Sequence, residues 1–334
     1  FDTLTPEADI ERLQEVIIGK NQRLVPVVRG RELLGIITRT GLLRFLYDVR
    51  DVEHPDTEED VPAEGAMARP KNLTQLMWER LPRRVMEVLR AAGETARRLD
   101  MRVYAVGGFV RDLVMRGENL DVDIVVEGDG IAFAEAFGAS QSARVRPHHK
   151  FGTAVLVFPD GFKFDVATAR VEYYLEPAAL PTVEYSSLKQ DMYRRDFTIN
   201  TLAVRLSPGG FGELIDFFGA QRDIKEKVIR VLHSLSFVED PTRILRAMRF
   251  ERRFGFTISR HTLNLIRNAV RLDLVGRLPK PRLYADLELI LQEDDPVAIL
   301  RRLSEVGLGP AIHPAITLDR PQLELLGETG EVLV

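Results

Sequence analysis

Cysteine is absent from all 334 residues. That excludes disulfides, thiolate-held metals and thiol redox chemistry. Long apolar runs are missing too. None approaches the roughly 20 residues that a membrane-spanning helix needs, so no membrane partner is expected. No secretory leader is visible. A reducing compartment fits these absences, and a cytoplasmic location is the expectation. There is also no excess of basic residues, since the net charge is −4. This argues against a protein that is basic all over, but a local basic groove remains open. What is present is ordinary for a globular chain: 45% hydrophobic and 29% charged residues. The length exceeds one ordinary core, so two or three domains are expected. Phe1 falls inside apparent structure, which predicts an excised part of a longer protein.

The most informative stretch is Tyr104–Glu127, YAVGGFVRDLVMRGENLDVDIVVE. An apolar run, Val103–Val106, meets Gly107-Gly108; a short helical segment with Arg111-Asp112 follows, then a strand-like run at Val122–Val126. Side chains alternate faces along a strand, so Asp121 and Asp123 point the same way. Mg²⁺ is held by one or two carboxylates plus substrate phosphates, and glycines let backbone N–H groups approach phosphates closely. The stretch therefore predicts a metal-dependent nucleotidyl-transfer site. The plainer alternative is a βαβ turn with two solvated aspartates at a strand edge.

Before this stretch, residues 5–19 have helical spacing. Strands are expected at 24–28 and 33–37, with a helix through Tyr47. Residues 49–70 are acidic and proline-bearing, which predicts a linker. One or two helices follow at 73–99. After Glu127, a helix is expected at 130–138 and strands at 151–158 and 162–168, the last carrying Asp165. A third carboxylate from a neighbouring strand suits two-metal phosphoryl transfer. The fold expected is a small mixed sheet with helices on one face. Residues 170–190 show no period and predict a loop near the site.

In YRRDFTINTLAVR (193–205), Arg194, Arg195 and Asp196 precede an apolar segment expected to be helical. Arginine forks suit phosphate oxygens, although a surface ion-pair cluster is the plainer reading. In EDPTRILRAMRF (239–250), Asp240 is expected as N-cap and Pro241 at the first helical position, with the helix running Thr242–Phe254. Arg243, Arg246 and Arg249 recur at three-residue spacing beside Phe250, forming an anion surface or a solvated face. Further amphipathic segments, at 261–270, 282–291 and 297–306, predict a helical domain behind the sheet domain.

Two resemblances follow from these segments. RLVPVVRGRELLGIITRTGLLRFLYD resembles the second part of a CBS module. Such modules pair and bind adenine nucleotides. Gly41 stands where the family often has an aspartate for the ribose, so a structural remnant of a cut pair is the expectation. The second resemblance is carried by GGFVRD (107–112) with DVD (121–123), RRDFTIN (194–200), DFFGAQRDI (216–224) and EDPTRILRAMRF (239–250). In that order and spacing, they resemble the class II (bacterial) tRNA nucleotidyltransferases and the related bacterial poly(A) polymerases. The preceding CBS module resembles the multidomain subgroup, in which a phosphoesterase-like domain often lies further upstream.

The second resemblance implies an α+β enzyme: a mixed-sheet nucleotidyltransferase head at 73–218 and a helical neck and body at 219–334. A partial CBS module at 1–48 and a linker at 49–72 precede them. It implies Asp121 and Asp123 as ligands of two Mg²⁺ ions and Asp165 as the third catalytic carboxylate. Gly107, Gly108 and Arg111 would hold the triphosphate. Arg194 and Arg195 would contact ribose and phosphate, oriented by Asp196 and Asn200. Asp240 and Arg243 would read the base, with Arg246 and Arg249 continuing towards the nucleotide. Its substrates would be the tRNA 3′ end with ATP and/or CTP, and A addition is the inclination. CC addition, full CCA addition and poly(A) synthesis share the same motifs. An inactive nucleotide-sensing protein is the reading from another class. Self-association through the CBS module is a further expectation. Two departures stand out. Lys280-Pro281-Arg282-Leu283 keeps only the arginine of the family's Ser-x-Glu-Arg, and 326–334 reads as truncated or frayed.

Overall fold

The computed structural model describes residues 2–9, 12–13, 16, 22, 24–30, 32–38, 71–173 and 182–312. The expected linker at 49–70, the helix through Tyr47 and the chain end at 326–334 lie outside these residues. So do seven of the fifteen residues of the helix expected at 5–19, and residues 5–9, which are described, are turn and irregular chain rather than helix.

Near the N-terminus, β1 (Leu24–Arg29) and β2 (Glu32–Thr38) form an antiparallel hairpin. Leu4, Leu13, Val16 and Val25 make a small core there, and it packs on Leu235.

The next unit opens with α1 (Thr74–Arg80) and α2 (Arg83–Arg98). Then come β3 (Arg102–Val106), α3 (Gly108–Val114), β4 (Val122–Glu127), α4 (Gly130–Gln141) and β5 (Arg144–His148). They are followed by β6 (Thr153–Val157), β7 (Lys163–Thr168), β8 (Arg170–Tyr173), β9 (Thr182–Tyr185) and α5 (Leu188–Tyr193). The short strands β10 (Ala203–Arg205) and β11 (Leu214–Ile215) close the set. Seven strands make one mixed sheet in the order β11-β10-β3-β4-β7-β6-β5. Within this sheet, among the described residues, only β4 and β7 pair in parallel.

Strand alternation divides the sheet into two faces. Val122, Ile124 and Val126 of β4, with Phe164 and Val166 of β7, face a core filled by Met86 and Leu89 of α2 and Phe133 and Phe137 of α4. Asp123, Val125 and Asp165 take the other face, where only a smaller cluster with Leu188 and Met192 of α5 covers part of the sheet. The helical layer thus leaves the carboxylate face open. Residues 71 and 72 already belong to this unit: Leu214 N–H donates to the Lys71 carbonyl at 2.8 Å.

Three local expectations are corrected. The stretch 170–190 holds the β8–β9 hairpin and the start of α5, whose helix begins with a capping box from Ser187 and Gln190. The segment after Arg195 is one 3-10 turn at Thr198–Asn200 followed by β10, not a helix. There, the Thr198 hydroxyl donates to buried Asp223 and the Thr201 hydroxyl to the Thr198 carbonyl, and these bonds fix the backbone locally. The strand β5 was not expected at all.

The remaining chain is mostly helical. It comprises α6 (Ala220–Glu226), β12 (Val228–Ile229), α7 (Ser236–Glu239), α8 (Thr242–Phe254), β13 (Thr257–Ile258), α9 (Arg260–Arg271), α10 (Lys280–Leu291), α11 (Pro296–Glu305) and α12 (Gly309–Ile312). Ile244, Leu245 and Met248 of α8 sit in a second core with Ile266, Leu283 and Leu303. Among the described residues no helix is long and apolar enough to cross a membrane.

Candidate active site

A cleft of ≈ 810 Å³ runs between the open sheet face and α8. Every residue singled out from the sequence lines it except Gly107, which lies behind Arg195. The lining includes seven arginines and seven carboxylates. The cleft is polarised, with Asp121, Asp123 and Asp165 on the sheet wall and Arg243, Arg246 and Arg249 of α8 on the other.

On the sheet wall, Asp123 and Asp165 are direct register partners across the parallel β4–β7 pair, in strands about 4.8 Å apart. Asp121 sits just ahead of β4, and its N–H donates to Asn119 Oδ1 at 2.8 Å. Burial pushes the Asp123 carboxyl up to about 6; Arg195 opposes the rise, and Asp121 and Asp165 add to it. Burial and then Asp121 raise Asp165, against Lys163. These are carboxylates crowded together, with Arg195 and Lys163 offsetting the rise only in part, a donor set that fits a hard divalent cation. Among the described residues no group of three acids or histidines closes into a metal cage. An ion here would take two carboxylates plus substrate oxygens.

Gly107 joins β3 to α3 with φ 71° and ψ −136°. A Cβ there would lie 2.5 Å from Arg195 Nη1. The turn thus needs glycine for its backbone and for the guanidinium beside it. Gly107→Ala is expected to cost about 2 kcal/mol from the left-handed backbone and the displaced arginine. Thermal denaturation reads that loss as a lowered Tm.

Arg111 is buried. It clasps Asp112 through Nε (2.8 Å) and Nη2 (2.9 Å), and its Nη1 donates to Asn200 Oδ1. Its guanidinium stacks over Phe254 at 4.4 Å. Asp112 Oδ2 also accepts from Asn119 Nδ2 at 2.8 Å. Asn200 donates to Asp196 Oδ1 at 2.8 Å, and Asp196 Oδ2 pairs with Arg246 Nη2 at 2.7 Å. One polar chain therefore runs from α8 to the loop holding Asp121. Burial alone would raise the Asp196 pKa, but Arg246, Asn200 and Arg243 outweigh it and hold the carboxyl below its usual range.

Arg194 and Arg195 share Asp191, which is wholly buried on α5, at 2.7 and 3.4 Å. Burial works to raise the Asp191 pKa, and the two guanidiniums bring it below the normal value. Asp191 was not among the expected residues. Its signal was available: three- and four-residue spacing on a helix faces an aspartate to both arginines. Asn119 and Arg253 were also missed.

On α8 the helix starts at Thr242 and Pro241 takes the cap position, one residue later than expected. Asp240 still serves the helix start, because Oδ1 accepts from the Thr242 N–H (3.2 Å) and hydroxyl (2.7 Å). Arg282 Nη2 adds a third contact to the same oxygen at 2.9 Å. Oδ2 carries no hydrogen bond from a described residue. Arg243 is buried, with Nη1 on Ser236 Oγ (2.8 Å) and Nη2 on the Arg194 carbonyl (2.7 Å). A buried guanidinium must spend its donors on protein groups. Arg249 and Arg253 both lean on Glu293, at 3.6 and 3.5 Å, so the arginine stripe is partly neutralised.

Comparison with known proteins agrees with this architecture. Residues 103–230 match the Poly A polymerase head domain, 255–319 the probable RNA and SrmB-binding site of polymerase A, and 1–48 the CBS domain. The chain is 52% identical over 333 residues to an A-adding tRNA nucleotidyltransferase of Geobacter sulfurreducens, covering 100% of this chain and 38% of that protein. The chain thus spans well under half of that relative's length. A CCA-adding enzyme in its apo form II superposes with a TM-score of 0.74 at 46% identity, covering 77% of this chain and 61% of the other. The Thermotoga maritima CCA-adding enzyme complexed with tRNA gives 0.67 at 44% identity, covering 73% and 56%.

Proposed function

As a member of the class II tRNA nucleotidyltransferase and poly(A) polymerase family, in the subgroup that carries a CBS module, the chain is one for which we propose transfer of a single AMP from ATP to the 3′ end of tRNA ending in CC. The observation that carries this reading is the polarised cleft, with crowded carboxylates facing a wall of arginines. In the reaction the terminal ribose O3′ attacks the α-phosphorus, forming the new P–O bond. The bond from that phosphorus to the bridging oxygen breaks, and pyrophosphate leaves. Asp121 and Asp123 would hold two Mg²⁺ ions, which supply positive charge at the attacking and leaving oxygens. Asp165 accepts the hydroxyl proton. Arg194 and Arg195, pinned by Asp191, hold ribose and phosphate oxygens, and Gly108 and Arg111 shape the triphosphate end. The head is assigned to 73–218. The helical region at 219–334 is assigned to base selection and to gripping the acceptor end, in the cytoplasm. The CBS piece is assigned to self-association.

Base choice rests on Asp240. Its Oδ2 accepts from the exocyclic amine of adenine or cytosine and repels the carbonyl of guanine or uracil. Arg243 donates to the neighbouring ring nitrogen only by exchanging one of its protein contacts. Asp240→Ala is expected to relax discrimination against GTP and UTP by about 10–100-fold, or 1–3 kcal/mol. Competition between nucleotides in kcat/KM measures this.

To test the reaction, purified protein with Mg²⁺ is offered tRNA ending before the first C, after CC, and after CCA, with CTP and ATP separately. One A added to the CC end alone supports the reading. Long A tails on any RNA mean a poly(A) polymerase, and C incorporation means CC or CCA addition.

A further inference from the structure

The outer end of the open sheet face carries basic side chains that the reaction scheme above does not use. Register places them. Asp123 of β4 pairs with Asp165 of β7, Asp165 with Val155 of β6, and Val155 with Arg146 of β5. Residues directly opposite one another in a sheet point to the same side. Arg146 therefore lies in the same transverse row as the two carboxylates. It stands two strand spacings, or about 10 Å, beyond Asp165. The next row along repeats the pattern, with Lys163 paired to Val157 and Val157 to Arg144. The opposite face is settled by Val145, which packs against the helical-layer core and whose Cγ2 would lie 2.4 Å from a Cβ on Gly138 of α4. Arg144 and Arg146 thus project on the cleft side. Both are exposed, and among the described residues neither is paired with a carboxylate.

On the other flank the glycine turn, Arg111, Arg194 and Arg195 line the β3 side of the carboxylates, where the reaction proposed above puts the nucleotide triphosphate. Thr153 and Val155 of β6 line the cleft on the opposite side with small or apolar groups, and the basic rows begin beyond them. We propose that Arg144, Arg146 and Lys163 form a track for the backbone phosphates of the RNA 3′ strand, just upstream of the attacking hydroxyl. The track rests on the RNA-transfer reading and adds to it the route by which the strand leaves the site. It needs no base contact, so it holds any sequence in register while Asp240 chooses the incoming base. An alternative duty for charges and Pro147 on β5 is to blunt an edge strand against pairing with another copy.

The test compares the full chain with Arg144→Gln/Arg146→Gln and with Arg144→Lys/Arg146→Lys. A third variant, Arg83→Gln/Arg97→Gln, removes the same charge from α2 on the far side of the sheet. Each is titrated with a minihelix RNA ending in CC across a KCl series, and KM is measured for RNA and ATP. The track predicts a salt slope about 1.4 shallower for the glutamine pair on β5, at about 0.7 per phosphate contact. The RNA Kd rises about 20-fold at 0.1 M salt, with the ATP KM unchanged. The lysine pair and the α2 pair keep the wild-type slope. A glutamine pair that self-associates but keeps the wild-type slope means edge protection alone, and sinks the track. An equal loss of slope in the α2 variant reduces the effect to net charge and sinks it too. Wild-type protein that neither binds nor extends the RNA overturns the transfer reading, and the track with it. Wild-type protein that extends RNA while the β5 variant binds it equally well overturns the track alone.

Discussion

Asp123→Asn is expected to give a protein that melts at a higher temperature and no longer transfers AMP. The two effects share one cause. In metal-free protein the folded Asp123 carboxyl titrates near about 6, against 3.8 in its unperturbed state. Below pH 3.8 both the folded and unfolded states are protonated, and the group's contribution to stability is fully present. It is lost as pH rises through about 6, where the folded state must ionise a carboxyl beside Asp121 and Asp165. The gap corresponds to at most about 3 kcal/mol, and solvent reaching this half-buried group reduces it to roughly 1–2 kcal/mol. Asparagine removes the charge and restores that amount at pH 7. Thermal melts in EDTA at pH 7 and pH 4.5 measure it: the gain appears at pH 7 and shrinks at pH 4.5. Turnover falls by about 10³-fold or more, since roughly 4 kcal/mol of charge stabilisation at the transferring phosphate goes with the carboxylate. A variant that keeps near-normal AMP incorporation would refute the assignment of Asp123.

Asp191→Ala is expected to behave in the opposite way. Asp191 is wholly buried between Arg194 and Arg195, and it also accepts from the Arg170 N–H at 3.3 Å. Removing it takes away the buried carboxylate that these two mostly buried guanidiniums share, a change that costs about 3–5 kcal/mol. Because the folded Asp191 carboxyl is held below its usual value, its contribution is present above pH 3.8 and is lost as pH falls below that. The Asp191→Ala melting temperature therefore approaches that of wild type only in strong acid. Urea denaturation at pH 7 and pH 3 measures the difference. An unchanged midpoint at pH 7 would mean that the arginines find other partners. Activity should fall with KM for ATP raised, because the arginine pair loses its orientation.

Much of the site was legible because its residues sit in strands and at turns. In Val122–Glu127 the alternation of apolar and acidic residues fixes which face carries Asp123, and the same holds for Asp165 in β7. The bounds of α8 were legible from its apolar spacing, down to Thr242 and Phe254. Other features depend on partners distant in sequence. RVRPH has one apolar side chain to bury, so β5 shows no alternation, and it is a strand only because β6 pairs with it. Residues 170–185 have no period because their hairpin gains its order from β8–β9 bonds. Arg243 was a base reader by resemblance to the family, and three-residue spacing placed it in the arginine stripe. Its burial against Ser236 and the Arg194 carbonyl arises from the turn before the helix, which spacing does not encode. Arg282 looked like an isolated survivor of a lost motif, yet it reaches across 42 positions to Asp240.

The polar chain from Arg246 through Asp196, Asn200, Arg111 and Asp112 to Asn119 has a consequence for how this sequence can drift. Its members lie in four separate segments, and each satisfies a neighbour that is buried or half-buried. A change at any one leaves a charge or amide stranded, so tolerated substitutions must arrive in compensating sets. Variation among descendants of this chain should therefore be correlated between position 246 and positions 196–200, and between 111–112 and 119. Asp240 Oδ2, which carries no hydrogen bond from a described residue, has no such obligation, so the base choice proposed for Asp240 would be freer to change than the machinery that joins it.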